Sequence, residues 1–304
     1  MKVTYDRYPE LKQFLKAFVE YVATSLQTRS VILFGGLTLD DFSKRYSDID
    51  IVIVLEKGLW ENDFNIIDEI ITRLEKINKE YAPLLSIYLI PYPMLENPRI
   101  TYNDLEGMII RNLQQEIISQ YPLSSIDDFM IKSQGELLYG EDLRERFPHP
   151  PMDCFWIKFL DDFVYFEKIV EQYPFQPSDS PQYNAATNWI LYFPRLLYSL
   201  INNDVIGKLK GAYWFSNEYY GKIGDFVVEI ATCRQRNISL ASVLNVIENS
   251  RKLILFSLEK AFEIKNINVP DLNSLLKIDG QNANFTRIFM ELRNIVENIR
   301  KASS

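Results

Sequence analysis

The sequence predicts an α+β fold in which a small mixed-sheet domain is followed by an all-α helical bundle. Three observations carry that reading. Residues 31–34, 51–55 and 84–90 are short apolar runs of strand length, separated by stretches with helical spacing. The run Pro148-His149-Pro150-Pro151 then interrupts regular structure. Beyond it, almost every stretch carries its apolar residues at helical intervals. The domain boundaries that follow are 1–147 and 152–304.

In chain order, residues 9–26 set Leu11, Phe14, Leu15, Phe18, Val22 and Leu26 on one face of an amphipathic helix expected to lie on the sheet. The strand at 31–34 ends at Gly35-Gly36, where a backbone can turn tightly and present bare N–H groups to an anion. The next strand, 51–55, is entered through Ser47-Asp48-Ile49-Asp50. Side chains alternate across a strand, so Asp48 and Asp50 share a face. Two carboxylates so placed suit a hard divalent cation such as Mg²⁺, which keeps several waters and takes one or two carboxylates together with phosphate oxygens. Asn62 or Asp63 is expected to cap a helix with Phe64, Ile67, Ile70, Ile71, Leu74 and Tyr81 on its buried stripe, ended by Pro83. The third strand, 84–90, is closed by Pro91 and Pro93. Residues 103–120 and 124–138 read as helices, the first from Met108, Ile109, Leu113 and Ile117, the second from Phe129, Met130 and Leu137.

The 304 residues leave room for two cores, and a formal net charge of −8 argues against nucleic acid as the main partner. Cys154 and Cys233, far apart in the chain, suit a reducing cytosol better than a disulfide framework. With no signal peptide and no apolar run long enough for a bilayer, a cytoplasmic location without membrane contact is expected. The sole histidine, His149, reads as a linker residue.

Gly35-Gly36 followed by Asp48-Ile49-Asp50 resembles the signature of the nucleotidyltransferase superfamily that includes DNA polymerase beta and antibiotic adenylyltransferases. The resemblance implies that Asp48 and Asp50 are catalytic metal ligands for Mg²⁺. It also implies that Gly35, Gly36 and Ser47 help to bind the nucleotide, with ATP the expected co-substrate. Relatives more often carry Gly-Ser where this chain has Gly35-Gly36. They also usually carry a third carboxylate on the third strand, as metal ligand or base. Here that strand holds Ser86 and Tyr88 on the relevant face and no acid, which leaves Glu96 or Asp104 in the following loop as a source.

The segment 135–148 and the stretch 188–214 resemble streptomycin/spectinomycin-type aminoglycoside adenylyltransferases. By that resemblance Arg195 and Lys208 reach the nucleotide phosphates, a planar fork and a compact charge respectively. The acidic residue that contacts drug amino groups in relatives falls on Ala185 here, with Asn188 one turn later and Asp179 in the preceding loop. Pro194 is expected to kink its helix. A loop is expected at 173–181, and further core stripes include Val243, Ile247 and Leu253, and later Phe285 and Ile299. Of the second-domain aromatics, including Tyr183, Tyr192, Trp214 and Tyr219, most are expected to be packing. Two functions follow: Mg²⁺-dependent transfer of AMP from ATP to a hydroxyl of a small molecule, or a nucleotide-binding or regulatory role on the same scaffold with catalysis degenerate.

Overall fold

The computed structural model describes residues 7–149, 153–160, 162–163, 181–236, 238, 246–266 and 294, with the backbone alone described at 61 and 181–188. The chain divides into two compact units, Met1–Pro151 and Met152–Ser304. The first is α+β and the described part of the second is helical.

In the first unit, α1 (Pro9–Ser25) precedes β1 (Thr28–Phe34) and β2 (Ile49–Leu55). Helix α2 (Glu61–Ile77) leads to β3 (Leu85–Pro91), the short α3 (Tyr92–Glu96), β4 (Gly107–Arg111) and β5 (Gln114–Ile118). Helix α4 (Ser125–Gln134) and β6 (Glu136–Gly140) complete it. The six strands lie in the order β5-β4-β3-β2-β1-β6, with only β2 and β3 parallel.

Register assigns the two faces. Leu33, Ile51, Ile87 and Ile110 lie in one row across β1 to β4, and with Leu11, Phe14, Phe18, Ile67, Ile70 and Leu74 they form a single core under α1 and α2. The alternate residues Phe34, Asp50, Ser86 and Arg111 pair across the same four strands on the opposite face. Because Ile49 and Ile51 enter that core, the pleat of β2 turns Asp50 away from α1 and α2.

Two helices read from the sequence are not formed as expected. Residues 103–120 make the β4–β5 hairpin: Asn112 and Leu113 both take positive φ (49° and 64°), a two-residue turn, and Met108 and Ile110 dock against β3. The spacing of 108, 109, 113 and 117 imitates a helix stripe, yet Ile117 on β5 is 55% exposed. Residues 124–138 are helical only to Gln134, after which Leu137 pairs with Ile32 as β6. Helix α2 also stops at Ile77, ahead of Pro83, because the Asn78 Oδ1 accepts the N–H groups of Glu80 (2.9 Å) and Tyr81 (3.1 Å) and turns the chain. At its start, Asp63 accepts the Trp60 N–H at 2.8 Å.

In the second unit, a helical run at 154–160 is followed by α5 (Pro181–Asn202), α6 (Lys208–Glu218), α7 (Lys222–Gln235) and α8 (Val246–Ile264). Helix α5 packs against the other three, and Phe159, Phe193, Leu197, Phe215, Leu253 and Phe262 are buried among them. Pro194 lies inside α5, which continues to Asn202. Residues 164–180, Val243 and the stripe from Phe285 to Ile299 lie outside the described residues, as do the side chains of Tyr183, Ala185 and Asn188.

Candidate active site

The first-unit site grows out of the turn after β1. Gly35 has φ +76°, and a Cβ built there would lie 2.2 Å from the Asp50 Oδ2. Any other residue at 35 would be strained in backbone and would collide with the carboxylate. The turn is tied down by the Thr38 Oγ1, which donates to the Gly35 carbonyl at 3.0 Å, and by the Asp41 N–H, which donates to the Gly36 carbonyl at 2.9 Å. Gly36 differs from Gly35: a Cβ there would meet only the Asp41 carbonyl at 3.7 Å and the Ser47 Oγ at 3.9 Å.

The loop that returns the chain to β2 is closed by Ser47. Its buried Oγ accepts the Ser43 N–H at 2.8 Å and donates to the Asp41 carbonyl at 3.3 Å, while its own N–H donates to the Ser43 carbonyl at 2.7 Å. Asp48 is exposed beyond this clamp and Asp50 is half-buried at the start of β2, one strand from Gly35. The Ser47 hydroxyl thus holds the loop that carries Asp48.

Beside Asp50 in the row come Ser86 and then Arg111. Arg111 donates from Nη2 to the Tyr88 hydroxyl at 2.7 Å, with its guanidinium 5.3 Å from that ring. Burial, then the charges of Asp127 and Asp50, push the Tyr88 phenol up, against the pull of Arg111, so it stays protonated near neutral pH and is no general base. Glu96 and Asp104 are not near this row. Asp50 and Ser86 open two parallel strands, and both acids follow the far end of β3, roughly 15 Å or more along the strand. Asp127 of α4 does act on Tyr88 and Arg111, although its Oδ2 also accepts the N–H (3.0 Å) and Oγ–H (2.7 Å) of Ser124. The sequence signal for it was Ser124-x-x-Asp127, a capping box ahead of an apolar run.

These residues fit a divalent ion of the Mg²⁺ type. Among the described residues no group of three or more His, Cys, Asp or Glu is gathered, but Mg²⁺ needs only one or two protein carboxylates when phosphates supply the rest. The absence of a side chain at 35 lets the Asp50 carboxylate lie directly against the turn.

Residues 11–117 match the family model described as the nucleotidyltransferase domain. This segment is a nucleotidyltransferase domain. The domain's glycine turn, Asp48 and Asp50 all fall within the match. The chain is similar in fold to a crystal structure of spectinomycin adenyltransferase AAD(9) from Enterococcus faecialis with ATP and spectinomycin, at a TM-score of 0.55 and 16% identity. That similarity covers 84% of this chain and 98% of the other. No curated protein is significantly similar in sequence.

In the second unit, Trp189, Tyr192 and Arg195 recur every third residue on α5, and the Trp189 and Tyr192 rings lie 5.8 Å apart. Arg195 is 7% exposed with its guanidinium carbon 5.3 Å from the Tyr192 ring centre, and the Lys208 Nζ lies 5.9 Å from the same centre. What brings Lys208 there is Gly211, whose Cα sits so close to α5 that a Cβ would lie 3.1 Å from the Arg195 Cα. Trp214, Phe215 and Tyr219 pack ring to ring with Tyr198 and Phe256, and of the five Phe215 is fully buried. No described helix is long and apolar enough to cross a membrane.

Proposed function

We propose that the protein transfers a nucleoside monophosphate, AMP from ATP, to a hydroxyl of a small molecule. The observation that carries this is the seating of Gly35 against the Asp50 carboxylate, which sets an acid directly against the glycine turn. In this reading Asp48 and Asp50 hold Mg²⁺, which when bound neutralises phosphate oxygens. Gly35 and Gly36 admit the triphosphate close to the backbone, and Ser47 fixes the loop that presents Asp48. Arg195 and Lys208 bind phosphate oxygens and favour departure of pyrophosphate. The similarity in fold to an adenyltransferase crystallised with ATP and spectinomycin supports ATP as co-substrate and a small hydroxylated acceptor. The two buried free cysteines fit a cytoplasmic setting.

The test is pyrophosphate release from ATP across a panel of hydroxylated acceptors, with and without Mg²⁺. Turnover should require Mg²⁺ and should fall by on the order of 10³-fold in Asp50→Asn, with thermal stability little changed. An Asp50→Asn protein that turns over normally would refute the assignment. One observation favours a second reading, nucleotide binding without efficient transfer: the face beside Asp50 on β3 carries Ser86 and a protonated Tyr88 where a base would stand. Mg²⁺-dependent ATP binding with no turnover of any acceptor would select it.

A further inference from the structure

Lys158 joins the cluster that Arg195 and Lys208 form. Its Nζ lies 5.4 Å from the Tyr192 ring centre, nearly the same distance as the Arg195 guanidinium and the Lys208 ammonium. Three cations from three separate helical segments therefore converge on one ring, and no two can be farther apart than the sum of their distances to it. Lys158 is also held in place. One turn along its helix it pairs with Asp162, which is 2% exposed, and its side chain keeps only 26% of its surface in water. A surface lysine ordinarily leaves its ammonium in solvent and free to swing. Fixed by a buried carboxylate beneath and an aromatic ring beside it, this one is a preset charge.

The grouping of one guanidinium fork and two ammonium charges around a single ring suits a ligand with several phosphoryl groups in a row. We infer that Lys158 is a third phosphate-binding cation, positioned by Asp162 and Tyr192, and that the cluster binds the triphosphate of a nucleotide. This rests on the phosphate role proposed above for Arg195 and Lys208. The competing role is that Lys158 merely neutralises Asp162.

Calorimetric titration with ATP, adenosine and inorganic tripolyphosphate separates the two. Lys158→Met keeps the apolar stem and removes the charge. It should weaken ATP and tripolyphosphate about tenfold each, leave adenosine unchanged and flatten the salt dependence, whereas Lys158→Arg should restore most of the affinity. If Lys158→Met unfolds because Asp162 has lost its lysine, the double variant Lys158→Met/Asp162→Asn removes both charges and should show the same loss. Tripolyphosphate bound as tightly by a folded charge-free variant as by the wild type, while Arg195→Ala and Lys208→Ala lose it, overturns the inference alone. Tripolyphosphate affinity unchanged in all three positions overturns the phosphate reading on which it rests.

Discussion

The carboxylates of the first unit and the cations of the second are collected by different devices. Asp48 and Asp50 are neighbours in sequence: the β1–β2 register sets Asp50 beside Gly35, and the loop clamped by Ser47 carries Asp48. Lys158, Arg195 and Lys208 come from three helical segments, and the close approach of α5 and α6 at Gly211 sets Arg195 and Lys208 around the same ring as Lys158. The first site is thus a local motif whose geometry follows from pairing. The second is a product of helix packing, and its parts carry no signal in isolation.

The sharpest way to break this comparison is at position 86, where the first site lacks an acid. Ser86 pairs directly with Asp50, so Ser86→Glu should raise acceptor-dependent pyrophosphate release by about 10²-fold or more if the rest of the site is competent. Tyr88→Glu should do less, because Arg111, which donates to Tyr88, would pair with the new carboxylate. A gain at 88 and none at 86 would show that the acceptor lies further along β3.

The second site answers to charge removal. Arg195→Ala and Lys208→Ala should each weaken ATP by about 1.5–3 kcal/mol and adenosine hardly at all, the size of a charge-assisted contact. Equal losses for both ligands, measured by calorimetry, would assign these side chains to packing.

A smaller effect distinguishes the sheet's own supports. Asp128 of α4 is buried against the Tyr121 hydroxyl, and burial above all pushes its carboxyl up to about 7, with the Tyr121 hydrogen bond pulling the other way. A carboxyl raised on folding binds its proton more tightly in the native state, so stability falls as pH rises from about 4 to about 7 and is flat above. Asp128→Asn should remove that slope, and at pH 8 it should melt higher than the parent protein. Parallel pH–stability curves for the two proteins would place the proton elsewhere.

The smallest change is at Gly36, where a side chain has room. Gly36→Ser should fold normally and bind Mg-ATP a few-fold more tightly, by roughly 0.5–1.5 kcal/mol for one added hydroxyl contact. Gly35→Ala beside it should lose both stability and binding. If the two glycines tolerate alanine equally, the cradle has been drawn at the wrong residue.

These contrasts also mark what could be read from the chain itself. The strands at 31–34 and 51–55, the buried stripes of α1 and α2 and the placement of Asp50 opposite the helices all follow from period-two and helical spacing. The β4–β5 hairpin escaped because Met108, Ile109, Leu113 and Ile117 fall at helical intervals by accident, and the turn uses Leu113 at a positive φ where glycine or asparagine would have announced it. Arg111 was lost with that hairpin, since its place beside Ser86 depends on a long-range register. The Ser124-x-x-Asp127 box and the Lys158–Asp162 spacing are local, but the action of Asp127 on Tyr88 and the approach of Lys158 to Tyr192 join residues distant in sequence, which no local pattern displays.

The strand order has a consequence for synthesis and dissection of the chain. β1 is inner in the sheet, with β2 on one side and β6, contributed by residues 136–140, on the other. While the chain is being made, the buried run Val31 to Phe34 waits more than a hundred residues for its second neighbour. Until then it offers an unpaired row of N–H and C=O groups on an apolar strand, an open template for another nascent copy. A fragment cut at residue 117, where the family match ends, keeps both aspartates and the glycine turn but leaves that template permanently uncovered. It should therefore self-associate, and extending it through Gly140 should restore a monodisperse species in size-exclusion chromatography.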